Sequence, residues 1–480
     1  MYKLISWIFL LHLIVPGCVA QSSSRADEAL NQYDQYREEA VQDRRFKHAE
    51  MEPLIHELAG APGFELRQGG QSIEGRPIYV IRYGTGPVKV LLWSQMHGDE
   101  STATMALLDL FNFLKAQDEF DDLRALFQKE LSLYFIPMLN PDGAERYQRR
   151  NAIDIDLNRD ALRLQTPEGV LLKTIRDQLD ADWGFNLHDQ SRYNAVGPSS
   201  GEATFSFLAP AFDEEKNIDE KRKNAMQLIV VLNRWLQQYI PGQIARFDDT
   251  FEPRAFGDNM QRWGTRTILV ECGGLDGDAE KQKIRKLHFG LFLVAFESIA
   301  RRSFETHSIR TYENLDFNNR QLTDLLIRNV RLEEYGKSYV VDLAFTRSEK
   351  DYNSDRDFYY RSSISDMGDL STFYGYEELF AEGYKIEPGK SYPQVVYSLP
   401  SLRKMDYADL HRQGYTDIRL QKVPGREDVD QLPFRLRGAS GPKPDNAIRI
   451  GENPSFFLVK DGLRKYVVVN GFLYRVAVKN

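Results

Sequence analysis

Val88-Lys89-Val90-Leu91-Leu92-Trp93 is a short apolar run, Ser94-Gln95-Met96-His97-Gly98-Asp99-Glu100-Ser101 is a polar loop, and a helical stretch follows from about Ala103 to Ala116. An apolar run of this length, bounded by turn residues and followed by a helical period, reads as a buried strand of an α/β fold. The unit recurs downstream. Leu131 to Pro137 is a second strand leading into the turn Asn140-Pro141-Asp142-Gly143, and Gly169 to Leu179 is helical. Trp183 to Leu187 is a third strand and Asn224 to Tyr239 a helix. Thr265 to Val270 is a fourth strand, followed by Gly273-Gly274 and a helix from about Ala279 to Arg302. This alternation predicts an α/β three-layer sandwich with a mixed, largely parallel central sheet.

Working outward, Phe64 to Tyr83 has a strand period with turns at Gly69-Gly70 and Glu74-Gly75. Residues 25–58 are charged and helical in pattern, with Leu30, Tyr33, Tyr36, Met51, Leu54, Ile55 and Leu58 spaced for one apolar face. Residues 21–50 read as a packed surface helix or as a short pro-segment over the mouth of a site. Past about Thr306 short alternating runs take over, such as Ser338 to Phe345 and Tyr466 to Val469. The chain therefore divides into an N-terminal helical segment (21–58), an α/β domain (59–305) and a smaller β-rich C-terminal domain (306–480). Phe358-Tyr359-Tyr360 is expected in the core of a β-sandwich, or else as an exposed cluster for a sugar or peptide.

Across 480 residues, 42% hydrophobic and 28% charged, the composition is globular and excludes disordered, collagen-like and coiled-coil classes. The net charge of -8 argues against broad binding to nucleic acid. Residues 1–20 have a charged start at Lys3, an apolar stretch Ile5 to Val15 and small residues before Gln21, the pattern of a signal peptide cleaved after Ala20. No later stretch approaches the ~18 apolar residues of a membrane-spanning helix. The two cysteines are Cys18 and Cys272, so removal of the leader leaves no intramolecular disulfide. An exported protein without disulfides suits the bacterial periplasm or exterior. Val15-Pro16-Gly17-Cys18 offers a second possibility, a lipid anchor on Cys18.

Four features carry chemistry. His97 and Glu100 sit after a strand and before a helix, where open α/β sheets place ligands, and residues three apart on a turn can point at one ion. His188, in Phe185-Asn186-Leu187-His188-Asp189, again follows a strand. Together the three make a His₂Glu set, three protein ligands with an open position. Glu271 ends the apolar run Thr267-Ile268-Leu269-Val270, where desolvation would raise its pKa toward that of a general base. The basic segment from Arg149-Arg150-Asn151 to Asn158-Arg159-Asp160 could polarise a carbonyl and clamp a carboxylate.

His97-Gly-Asp-Glu100, Asn140-Pro-Asp-Gly143, Arg149-Arg150-Asn151, Leu157-Asn158-Arg159, His188 and Glu271 occur in the order and rough spacing of the zinc metallocarboxypeptidase (carboxypeptidase A-like) family. The chain resembles that family over about residues 50–300, including Ser72-Ile73-Glu74-Gly75-Arg76-Pro77-Ile78. The resemblance implies His97, Glu100 and His188 as ligands of one zinc ion per chain and Glu271 as general base. It implies Arg149 as the oxyanion stabiliser, with Arg150 as the alternative, and Asn158 and Arg159 as holders of a peptide substrate's terminal carboxylate.

Two departures stand out. Asp160-Ala161 replaces the family's Asn-aromatic pair, and an aspartate there could pair with Arg159. No tyrosine lies in the window Phe247 to Arg254, where Arg254 is the anion binder available. These departures keep a zinc amidase or deacylase, and a non-catalytic binding protein, as alternatives to a carboxypeptidase.

Overall fold

A computed structural model describes residues 25–423 and 432–477 of the chain. The leader-like residues and Cys18 lie outside the described residues. Strands β1 (Phe64–Gln71), β2 (Pro77–Tyr83), β3 (Val88–Trp93), β4 (Leu131–Ile136), β5 (Trp183–Asp189), β6 (Asn194–Val196), β7 (Phe205–Leu208), β8 (Ile244–Arg246) and β9 (Arg266–Cys272) carry the first half of the fold. All but β6 form an eight-stranded sheet in the order β1-β2-β4-β3-β5-β9-β7-β8. Its middle, β4-β3-β5-β9, is parallel, while β1, β2 and β7 join antiparallel to their inner neighbours.

The sheet is covered on both sides, which is why its central strands are apolar at successive positions instead of alternating. Val90, Leu92, Phe185 and Ile268 face the larger core with helices α1 (Arg25–Asn31), α2 (His48–His56), α3 (Thr102–Lys115), α4 (Asp121–Glu130), α7 (Glu220–Leu236) and α9 (Gln282–Arg301). Leu91, Trp93 and Ile136 face a smaller core made with α6 (Pro167–Leu179) and α8 (Phe256–Arg262), and the short α5 (Pro141–Glu145) follows β4. The chain leaves β3 toward β4 on one side and returns to β5 on the other, so the carboxyl ends of β3 and β5 flank a crevice at a topological switch point. Among the described residues no helix is long and apolar enough to cross a membrane.

Several expectations are corrected. Gly69-Gly70 is not a turn: β1 runs through both glycines, with a bulge between Gln68 and Gly70 in its pairing to β2. Residues 25–58 do not form one helix. Helix α1, a 3-10 turn (Tyr33–Gln35) and α2 are separated by irregular chain, yet Leu30, Tyr33, Tyr36, Met51, Ile55 and Leu58 are all buried on the core. Phe358-Tyr359-Tyr360 is not sandwich core. Phe358 lies under the guanidinium groups of Arg44 and Arg45, at the contact between the N-terminal and C-terminal segments.

The C-terminal region contains a second eight-stranded sheet between Leu322 and Arg475. Beside it is a small unit in which Lys390–Val396, Tyr415–Leu420 and Arg435–Gly438 pair in parallel around Val396, Leu402, Leu410, Ile418 and Phe434. The region is fastened to the α/β domain by Asn318–Arg320 pairing with β6. Ion pairs from Arg44 to Glu349 and from Arg45 to Asp351 add to that contact.

The N-terminal segment is locked by a charge pair with no solvent access. The Asp109 carboxylate on α3 accepts from Arg285 Nε on α9 at 2.7 Å, from the Tyr33 hydroxyl at 2.7 Å and from the Glu38 backbone N–H at 2.7 Å. Arg285 also donates to the Val41 and Glu38 carbonyls. Removing one member leaves a buried uncompensated charge. Asp109→Ala is therefore expected to lower unfolding stability by about 3–5 kcal/mol in urea titration, with limited proteolysis cutting first within residues 25–47.

Candidate metal centre

The loop after β3 is shaped by backbone before side chains matter. Ser94 and Gln95 extend the β3–β4 ladder, with Leu139 N–H donating to the Ser94 carbonyl and Asn140 N–H to that of Gln95. Asn140, fully buried, donates from Nδ2 to the Met96 and Arg149 carbonyls and accepts from Gly143 N–H through Oδ1. A Cβ on Gly98 would lie 2.0 Å from the Gly143 carbonyl carbon, so only glycine lets the two turns touch. Asp142 receives the Ser72 hydroxyl, the Glu74 N–H and the Arg76 guanidinium, which pins the Ser72–Pro77 hairpin. The Asn140-Pro141-Asp142-Gly143 motif thus supports the His97 loop from below.

On this frame three donor residues converge. His97 Nδ1 is 2.8 Å from Glu100 Oε1 and 3.1 Å from His188 Nδ1, and His188 Nδ1 is 2.7 Å from Glu100 Oε2. All three side chains are buried. His97 Nε2 points at Asp156 Oδ1, 3.1 Å away. A carboxylate only accepts, so that contact keeps a proton on Nε2, and an ion at the site would take the place of the proton that Nδ1 otherwise shares with Glu100. The Glu100 carboxylate lies within hydrogen-bond reach of both imidazoles and of an Arg149 terminal nitrogen, which is itself 3.1 Å from His97 Nδ1. The donor types and the three-sided arrangement fit zinc.

Electrostatics follow from burial and neighbours. Burial drives Glu100 upward, but the His97 and His188 imidazoles outweigh it and hold the carboxyl below its ordinary range. For His97, burial acts downward and Glu100 with Asp156 outweighs it, giving about 9. Burial lowers His188. Glu271 is one strand away and pairs in register with His188 across β5 and β9. Burial pushes its carboxyl well above the usual range, and the Glu100 carboxylate adds to the push.

Arg149 belongs to the site and Arg150 does not reach it. Arg149 donates from Nε to Asp156 at 3.1 Å and its terminal nitrogen lies 3.2 Å from Glu100 Oε1. Arg150 turns outward to the Asp154 carbonyl. Asn158 and Arg159 line a cavity of about 400 Å³ that also holds His97, His188, Arg149 and Glu271. Asn158 Oδ1 accepts the Phe256 N–H, leaving the amide nitrogen as its donor end.

Two expectations fail here. Asp160 does not pair with Arg159: its buried carboxylate accepts the N–H groups of Gln165 and Thr166 and the Thr166 hydroxyl, capping the approach to α6. Arg254 is not a ready anion binder either, because Glu252 chelates it at 2.9 and 2.8 Å.

Asp156 and Glu252 were not among the residues expected from sequence. The spacing Asp156-Leu157-Asn158-Arg159 holds the signal for the first, an acidic cap two residues before Asn158.

A second cavity, of about 660 Å³, adjoins the first through Glu100, Asp189, Gln190 and Ser191. Its far wall comes from the N-terminal segment (Arg44) and the C-terminal region (Arg347, Glu349 and Tyr360).

Residues 51–224 match the family model described as zinc carboxypeptidase. Carboxypeptidase SOL1 of Arabidopsis thaliana is 33% identical over 175 residues, covering 30% of this chain and 35% of that protein. Carboxypeptidase D of Homo sapiens is 31% identical over 134 residues, 22% of this chain and 10% of the relative. The chain thus spans about a third or less of the length of these curated relatives. Among solved structures, a metallo-carboxypeptidase from Pseudomonas aeruginosa has a TM-score of 0.44 at 17% identity, covering 54% of this chain and 70% of that one. The matched segment contains His97, Glu100 and His188 and stops short of Glu271. Residues 51–224 are thus similar to the zinc carboxypeptidase family in sequence.

Proposed function

We propose that the protein is a zinc-dependent peptidase of carboxypeptidase type, acting on peptides outside the cytoplasm. The observation that carries this reading is the convergence of His97, Glu100 and His188 at a sheet switch point, with Glu271 in register beside His188. The leader-like first twenty residues support export.

His97 and His188 would hold the ion through Nδ1 and Glu100 through its carboxylate. Zinc, when bound there, supplies Lewis-acid polarisation of the scissile carbonyl and acidifies the attacking water. Glu271 accepts the water's proton at its carboxylate and returns it to the leaving nitrogen. Arg149, held by Asp156 through Nε and one terminal nitrogen, would turn the other, now 3.2 Å from Glu100, toward the oxygen on which negative charge develops. Asp156 orients His97 and Arg149 together. Asn158 and Arg159 form the end of the cleft suited to a terminal carboxylate.

A zinc amidase or deacylase remains the second reading. Its support is the engagement of Arg254 and Arg159 by Glu252, no longer the Asp160 substitution.

Glu271→Gln should retain zinc at about one ion per chain by elemental analysis while peptide hydrolysis falls by roughly 10²–10⁴-fold; full activity in this variant would refute the mechanism. Arg149→Ala should cost about 10²–10³ in kcat, whereas Arg150→Ala should stay within about twofold of wild type under the same assay. Asp156→Asn keeps the shape and loses the charge, so zinc affinity measured by chelator competition should fall about 10–100-fold.

A further inference from the structure

The substrate-carboxylate end of the cleft already contains a carboxylate. Glu252 lines the cavity with Asn158 and Arg159. Its Oε1 accepts Arg254 Nε at 2.9 Å, its Oε2 accepts the Arg254 terminal nitrogen at 2.8 Å, and Oε2 lies 3.5 Å from Arg159 Nε. This is the two-pronged geometry in which a guanidinium takes a ligand carboxylate.

The position is fixed by backbone. Glu252 N–H donates to Asp258 Oδ1, Arg254 N–H to Glu252 Oε1, and Ala161 N–H to the Arg254 carbonyl, so the loop is stitched to the turn that carries Asn158 and Arg159. The Arg254 hydrogen bonds, against a smaller opposing effect of burial, hold the Glu252 carboxyl down at about 2, so it stays ionised in any working buffer.

Resting on the peptidase reading above, we propose that Glu252 is a built-in competitor for the substrate's terminal carboxylate and is thereby the residue that sets selectivity between free and blocked C-termini. An incoming carboxylate must displace Glu252 from Arg159 and Arg254 and tolerate its charge nearby. A carboxamide or a continuing chain meets no such repulsion. The wild-type cleft therefore discriminates little between a peptide acid and its amide, although it carries the arginines that would favour the acid.

The test uses two peptides that differ only in a C-terminal carboxylate or carboxamide and are cleaved at the same bond, assayed with the zinc-loaded full chain. Glu252→Gln is isosteric and should raise the acid-to-amide ratio of kcat/KM by about tenfold, with the gain in the KM of the acid and kcat unchanged. Glu252→Asp, which keeps the charge, should stay within about twofold of the wild-type ratio. An unchanged or lowered ratio in Glu252→Gln overturns the proposal. If the wild-type protein cleaves neither peptide, the peptidase reading fails on its own, and calorimetric binding of the peptide acid decides this one. Tighter binding by Glu252→Gln by the same factor upholds the competitor role, and equal or weaker binding refutes it.

Discussion

One carboxylate coordinates the rest of the site. Asp156 receives His97 Nε2 and the Asn158 N–H on one oxygen and the Arg149 guanidinium on the other. It therefore holds, in one rigid unit, the His97 ring, the arginine beside it and the turn bearing Asn158 and Arg159. Burial alone would raise its pKa, but His97 and Arg149 together hold it well below the ordinary carboxylate range. The arrangement needs all of them: a buried carboxylate without His97 and Arg149 would be costly, and the histidine without the carboxylate would be free to rotate.

The sheet supplies what Asp156 cannot. Parallel pairing of β5 and β9 sets His188 beside Glu271 in register, and pairing of β3 and β5 sets Trp93 beside Asn186. The His97 loop then leaves β3 where the next strand of the chain lies on the opposite side. A one-residue slip in either pairing would turn His188 or Glu271 to the other face. Burial of both sheet faces opposes such a slip, since Phe185 and Ile268 would lose their core.

Legibility in the sequence followed the range of the interactions. The strands of the central sheet were readable because both faces are buried and the runs are continuous, and His97, Glu100, His188 and Glu271 were readable because each sits at a strand's carboxyl end. Arg149 could not be separated from Arg150 in sequence. The choice depends on which guanidinium meets Asp156 and which turns to the Asp154 carbonyl, a matter of side-chain direction. The pairing of Asp160 was misjudged for a similar reason: an adjacent arginine is a poor partner when three donors at Gln165 and Thr166 stand within reach in a buried turn. Glu252 was hidden because its effect arises from two loops brought together by tertiary contacts. The parallel unit around Ile418 was hidden because its strands are short.

The N-terminal and C-terminal segments fold against the α/β domain at the same place, the far wall of the cleft. Arg44 and Arg45 reach Glu349 and Asp351 and cover Phe358, while Tyr193 and Arg192, a few residues past His188, engage Asp324. The Tyr193 hydroxyl donates to Asp324 and accepts the Arg347 N–H, and the Arg192 carbonyl accepts the Tyr376 hydroxyl. The loop that follows His188 is thus clamped by the C-terminal sheet, and that sheet is clamped in turn by the segment that Asp109 and Arg285 anchor. Because these contacts are charge-assisted and partly buried, each depends on its neighbours for desolvation. Loosening the buried Asp109–Arg285 pair would therefore reach the loop after His188 through Arg44, Glu349 and the strand that bears Arg347, without any change at the metal ligands themselves.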